Sequence, residues 1–346
     1  LLAVLFLVFI RIFSQDIPAQ NQGLVKDPFF NNQNPQGQSG KKVQHKHSDT
    51  FGVSPDKYDG NPVFSGNVVF EQQGSVLTAD EVVWYQKENF LKAIGNVVLT
   101  SADGSRITAA EMEYDGNTQR GIARKNVVLT DPKQTIKTET LYYDKIPNTA
   151  YFNTGGTIYS NDGSVMYTKT ATYNLNSKMI DFVGRSNIET DKYTIVSDNI
   201  KQNQNTGVSD FFGPTTIRDK KNPMNYVYTE QGSYNSKTGE SFLNKNSRIH
   251  NNGKILTGDK LYFNRNTGFG KGTGNVMLDD PREKRYIKGG YGEIFEKKDS
   301  AMITDKPYFV KIFAKDSLYM SADKFLTFQR QDSANSLKKK SFLRAF

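Results

Sequence analysis

From about residue 58 onward, apolar and polar positions alternate in short runs that recur at one period. The segment Leu77-Thr78-Ala79-Asp80-Glu81-Val82-Val83-Trp84 aligns with 107–114, 136–143, 166–173, 195–202, 227–234, 256–263, 287–294 and 320–327, at successive spacings of 30, 29, 30, 29, 32, 29, 31 and 33 residues. Nine units at a near-constant period define a repeat array. The first column of each unit is large and apolar, and the column two residues later is small: Ala79, Ala109, Thr138, Thr168, Ser197, Thr229, Gly258, Gly289 and Ala322. That period of two predicts a β-strand. The apolar signal then resumes at offset five, in Val82, Met112, Leu141, Ile200, Leu261 and Phe325, and at offset seven, in Trp84, Tyr114, Tyr143, Tyr173, Tyr234 and Phe263. Parity has switched by one residue. A strand that keeps one face inward across such a switch needs a bulge or a bend, so each strand is predicted to crease midway.

A second strand type lies between these segments: Gly66-Asn67-Val68-Val69-Phe70, Gly95-Asn96-Val97-Val98-Leu99, Lys125-Asn126-Val127-Val128-Leu129 and Gly274-Asn275-Val276-Met277-Leu278, with looser copies at 155–158 and 186–188. Apolar residues also precede the Gly-Asn pair, so the glycine falls inside a strand, where it marks a tight bend. Short turns alternate in position: Gln72-Gln73-Gly74, Ala102-Asp103-Gly104 and Asn161-Asp162-Gly163 on one side, Asp115-Gly116-Asn117 and Ile146-Pro147-Asn148 on the other. Turn residues between strands favour a creased antiparallel meander over a parallel β-solenoid, in which short loops would sit at coil corners. The predicted fold is all-β: an elongated V-shaped antiparallel trough of about nine two-strand repeats, on the order of 80 to 90 Å long at the spacing of paired strands.

Composition agrees with half-buried sheets. Hydrophobic residues make up only 36%, but 23 Phe and 18 Tyr lift aromatics to 12%. The formal charge of +9 is spread along the chain and names no partner. With no cysteine there is no disulfide, thiolate zinc site or thiol nucleophile. The three histidines offer little to a metal: His45 and His47 lie in a Gln/Asn-rich stretch, and His250 abuts a turn. No strand column holds a histidine, so a Ser-His-Asp arrangement has no seat, and no cofactor is expected. The run from Gly268 to Gly274 lacks phosphate-loop spacing and precedes a strand, so it reads as a hairpin turn.

The chain is expected to divide into four parts. Residues 1–14, which begin with Leu, read as a truncated export signal with cleavage near Ser14. The competing membrane anchor would need about 20 apolar residues. Residues 15–57, rich in Gln, Asn and Pro, read as a disordered linker. Residues 58–330 hold the repeats. Residues 331–346 read as a solvated loop and the start of a further repeat, because Phe342-Leu343-Arg344-Ala345-Phe346 matches Phe90-Leu91-Lys92-Ala93-Ile94.

The paired pattern, Gly-Asn-Val plus aliphatic and then aliphatic-Thr-Ala-Asp/Glu followed by an aromatic residue, is best seen at 66–85 and 95–114. It resembles the OstA/LptA family of periplasmic lipopolysaccharide-transport proteins. The resemblance implies a twisted V-shaped β-jellyroll, or β-taco, whose interior carries lipopolysaccharide acyl chains. It also implies a periplasmic location with outer-membrane association, and ends that stack through edge strands on other lipopolysaccharide-transport proteins. The array here is longer than in the small soluble member, and a polar linker follows the export segment.

On this reading the inward columns contact acyl chains: Leu77, Val82, Trp84, Ile107, Met112, Tyr114, Ile136, Leu141, Tyr143, Met166, Tyr173, Ile195, Ile200, Leu261 and Phe263. The expected function is a non-enzymatic lipopolysaccharide carrier or bridge. The alternative is a structural or adhesive surface protein whose repeats fill their own core. A nucleic-acid binder is disfavoured, because the aromatic residues share the inward face with aliphatic ones. The acidic residues near the crease, Asp80, Glu81, Glu111, Glu139, Asp198, Glu230, Asp259 and Asp323, are expected to face outward, where charge opposes edge pairing.

Overall fold

In the computed structural model the described residues are 24, 26–31, 42–53, 55–332 and 335–346. The predicted export segment lies outside them. Of the described residues 69% are strand and 4% helix, and their strands form one antiparallel sheet of 27. Neighbours in sequence are neighbours in the sheet, as in a meander. Ser75–Tyr85, for example, pairs with Pro62–Gln72 on one side and Phe90–Thr100 on the other.

The crease occurs where parity switches. Register breaks fall between Ser65 and Val68, Thr78 and Glu81, Ile94 and Val97, Arg124 and Val127, Ser197 and Ile200, and Thr273 and Val276. Elsewhere the break divides the strand in two, as at Val165–Thr168 and Thr170–Asn174 or Lys254–Gly258 and Lys260–Asn264.

The Gly-Asn pairs build the bend. Gly95 and Asn96 both have left-handed φ, +76° and +45°, and Gly274 and Asn275 repeat this at +70° and +48°. A side chain on the preceding strand locks each bend. Asn96 Nδ2 donates to Asp80 Oδ2 at 2.9 Å, Asn67 to Asp49 at 3.0 Å and Asn275 to Asp259 at 3.0 Å. The carboxylate sits where a side chain at the glycine would go: a Cβ on Gly95 would lie 2.4 Å from Asp80 Oδ2. In the third copy Lys125 takes the glycine position at φ +66°, and its amine pairs with Glu111 at 2.6 Å. Several acidic residues of the crease column thus face outward but act as clamps on the bend.

A flat strand of eleven residues is about 36 Å long, yet side chains at opposite ends of nearby strands hydrogen-bond, such as Tyr114 with Gln72, so the sheet folds over on itself. Two apolar clusters fill the fold. One runs from Val43 to Phe211 and the other from Leu243 to Phe325.

A third, smaller cluster lies on the outer face. Parity places Val83 and Tyr85 outward, and with Phe90 and Ile122 they are covered by Phe30. The segment at residues 26–30 is held there by Lys26 to Asp115 (2.9 Å), Asp27 to Arg124 (3.1 Å) and Phe29 O, which accepts from Arg120 (3.2 Å). The reading of 15–57 as linker is corrected in part. Pro28–Asn31 is a 3-10 turn, and Gln44–His47 and Thr50–Val53 pair with Pro62–Gln72 as the first edge of the sheet. Edge strands with one neighbour tolerate polar side chains, so no apolar alternation announced them. His45 packs its ring 4.3 Å from Phe64, and the described residues hold no group of three metal-ligating side chains. The loop expected at 331–340 is also corrected, since Asn335–Ala345 is a strand that pairs with Lys324–Asp332.

Candidate functional site

The hairpin turns form two rims. Turns near residues 73, 103, 132, 162, 191, 222, 252 and 282 lie at one end of the strands, and turns near 88, 117, 147, 177, 206, 238, 266 and 297 at the other. The space between the two halves of the folded sheet is the lumen, and the gap between the rims is its mouth.

Over the first repeats the mouth is sewn shut. Tyr114 Oη donates to Gln72 Oε1 at 2.6 Å, and Gln72 Nε2 donates to Gly116 O at 2.9 Å. Tyr143 Oη lies 3.4 Å from Ser101 Oγ, and Tyr173 Oη donates to Asp131. Each of these tyrosines reaches a partner 42 residues earlier, one and a half repeats back and on the opposite rim. Lysines and amides reinforce the seam: Lys145 Nζ to Gln72 O at 3.1 Å, Lys178 Nζ to Asp131 Oδ2 at 3.0 Å, Asn148 to Asp103 at 3.2 Å and Gln204 to Gln134 at 2.6 Å.

Burial raises the pKa of Tyr114, Tyr143 and Tyr173, and for Tyr173 the adjacent Asp131 carboxylate raises it further. Their hydroxyls therefore stay protonated donors wherever the protein is folded near neutral pH. Burial also pushes the Asp103 carboxyl up. Hydrogen bonds from Ser105 and Asn148, with the Lys178 charge, outweigh it and hold Asp103 below its ordinary value.

The seam ends where the tyrosine column does. The residue in register after Tyr173 is Gln202, and beyond it come Tyr234 and Phe263. There the lumen opens into a cavity of about 250 Å³ walled by Tyr193, Ile195, Ile217, Val227, Tyr234 and Phe263, with Arg265 at its mouth. Further along, Asn251 donates to Glu296 across the rims at 3.1 Å. A second cavity, of about 330 Å³, lies beside that contact, with Leu256, Leu278 and Ile294 inside and Lys254 and Arg282 on the rim.

All fifteen sequence-predicted lumen residues face the interior, but most of them touch one another. Leu77, Val82, Ile107, Met112, Tyr114, Ile136, Leu141, Tyr143, Met166, Tyr173 and Ile200 are buried at 0–6% exposure in the first cluster. Leu261 is buried in the second cluster. Trp84 is half-buried beside Phe64 and Phe70 at the first edge, where its indole N–H has no acceptor among the described residues. Of the fifteen, Ile195 and Phe263 line the 250 Å³ cavity. Sequence reasoning missed the seam partners Gln72, Ser101 and Asp131 and the rim residue Arg265. The signal for the first three was available as the constant separation of 42 from the tyrosine column.

Residues 40–198 match the family model of OstA-like proteins. Among curated proteins none matches the chain. A solved structure that is similar to part of it is that of LptH, the LptA-homologous periplasmic component of the lipopolysaccharide transport device of Pseudomonas aeruginosa. The likeness has 15% identity and a TM-score of 0.27, and covers 29% of this chain and 76% of that one. The matched stretch, which is similar to OstA-like proteins, holds the first creases with their Asp-Asn clamps and the whole tyrosine seam.

Proposed function

We propose that the protein is a non-enzymatic periplasmic carrier or bridge for lipopolysaccharide, holding acyl chains in the lumen of the folded sheet. The observation that carries this reading is the change in the lumen at the end of the tyrosine seam. A packed interior gives way to an unfilled cavity walled by aliphatic and aromatic side chains, the lining that suits a hydrocarbon guest. The sealed first portion favours a narrower version of the self-filled reading, in which residues 75–175 act mainly as a rigid spine. The inward residues there would meet a guest only if the rims part. Partners would add at the sheet's edges, Gln44–His47 with Thr50–Val53 at one end and Asn335–Ala345 at the other, each hydrogen-bonded among the described residues to a strand on one side.

Filling the cavity tests the carrier reading. Val227→Trp places a large ring among Ile217, Tyr234 and Phe263. It is expected to lower lipopolysaccharide binding by about tenfold or more, the scale of losing burial for a few methylene groups, with the thermal unfolding midpoint kept within a few degrees. Undiminished binding in a folded Val227→Trp protein would place the guest outside this cavity and overturn the reading.

A further inference from the structure

The mouth of the 250 Å³ cavity is crossed by one side chain in a way the rest of the seam is not. Arg265, in the turn after Lys260–Asn264, reaches from its own rim to the opposite one. Its guanidinium lies 5.8 Å from the ring centre of Tyr193 and 5.9 Å from that of Tyr234. No hydrogen bond or ion pair joins the guanidinium to a side chain or carbonyl of the described residues. Five N–H donors are thus held at the entrance of an apolar chamber with only two ring faces opposite them.

The other charged groups lining this cavity, on the opposite rim, have partners of their own. Asp162 Oδ1 accepts from Ser164 N (2.9 Å) and Ser164 Oγ (2.6 Å), and Asp191 lies 4.0 Å from Lys192 Nζ. Ser236 and Ser241 add hydroxyls to the cavity wall.

We propose that Arg265 is a headgroup-binding residue: the cavity takes one acyl chain of an amphiphile, and the guanidinium leaves the faces of Tyr193 and Tyr234 to bind the anionic group at the head of that chain. This rests on the acyl-chain reading of the cavity and adds the head-end charge and the residue that recognises it. The chemistry fits both sides. A carboxylate or phosphate oxygen gives the planar fork the acceptors it lacks, and a charged hydrogen bond at a half-desolvated site is strong. The tyrosine rings, freed of the cation, then flank the first carbons of the chain.

The test uses a long-chain polyene fatty acid, whose fluorescence rises in apolar surroundings, and its uncharged methyl ester, titrated into the full chain. The acid is expected to bind about tenfold more tightly than the ester, as for one charged hydrogen-bonded contact. Arg265→Ala should bring the acid down to the ester's affinity and leave the ester unchanged, which also shows that the variant is folded. Arg265→Lys should keep part of the preference. Equal binding of acid and ester by the unaltered protein, or an Arg265→Ala protein that still prefers the acid, overturns the headgroup assignment while the acyl cavity stands. Arg265→Ala weakening both probes alike would make the residue structural and overturn it too. Binding of neither probe removes the acyl reading as well.

Discussion

A protein carrying Tyr114→Phe, Tyr143→Phe and Tyr173→Phe together is expected to open along its first half, binding an environment-sensitive hydrophobic dye that the unaltered protein excludes there. The rings stay, so the apolar packing is nearly unchanged, and what is lost is the set of bonds across the mouth. Two of them end on buried acceptors, Gln72 and Asp131. A neutral hydrogen bond contributes about 1 kcal/mol and one to a carboxylate about 1.5–3 kcal/mol, so the triple change should cost roughly 3–5 kcal/mol. Tyr173→Phe should carry the largest share, because Asp131 is left to Lys178 and to the backbone N–H groups of Lys133 and Gln134. Ser101→Ala should do little, since its contact with Tyr143 is long at 3.4 Å. A triple variant with unaltered stability and no dye binding would mean that packing, rather than the seam, holds the rims together.

The second large effect is expected at the crease. Gly95→Ala forces a Cβ to 2.4 Å from Asp80 Oδ2 at a backbone φ of +76°. The backbone strain alone costs about 1–3 kcal/mol, and displacing Asp80 also breaks its bond to Asn96. Gly274→Ala should behave alike, because Asp259 occupies the same place, whereas Gly52→Ala meets nothing within 4 Å and should be neutral. The third copy supplies the reverse experiment. Lys125 already carries a side chain at φ +66°, so Lys125→Gly should stabilise by up to about 1–2 kcal/mol, less the small worth of an exposed pair with Glu111. Chemical denaturation of the four variants measures all of this. Equal stability of Gly95→Ala and Gly52→Ala would remove the clamp from the description of the bend.

The repeats and the crease were legible in the sequence because both arise from local chemistry. A strand must alternate, and a one-residue slip in that alternation has few structural solutions, of which a Gly-Asn bulge is one. The inward columns were legible for the same reason, since parity fixes the face on which Leu77 or Ile136 must lie. What those columns do there was not legible, because alternation cannot distinguish a wall that touches its opposite wall from one that faces a cavity. That difference depends on what reaches across the mouth, a contact between residues 42 apart whose chemistry is carried by turn residues such as Gln72 and Asp131. The first edge was missed for another reason. Gln44-His45-Lys46-His47 is too polar to look like a strand, and its partner, Pro62–Gln72, supplies the ladder that makes it one. Phe29 and Phe30 were likewise two aromatics in a polar stretch until the outward-facing Val83, Tyr85, Phe90 and Ile122 gave them a surface.

The most direct measurement is a photo-crosslinking scan along the lumen with lipopolysaccharide present. The crosslinking residue would be placed one position at a time at Leu77, Ile136, Ile195, Ile217 and Phe263, with outward Glu139 as control. A trough sealed by its tyrosines and open beyond Gln202 predicts lipid adducts at Ile195, Ile217 and Phe263, and background labelling at Leu77, Ile136 and Glu139. Adducts of equal yield at all six positions, or at none, would contradict it.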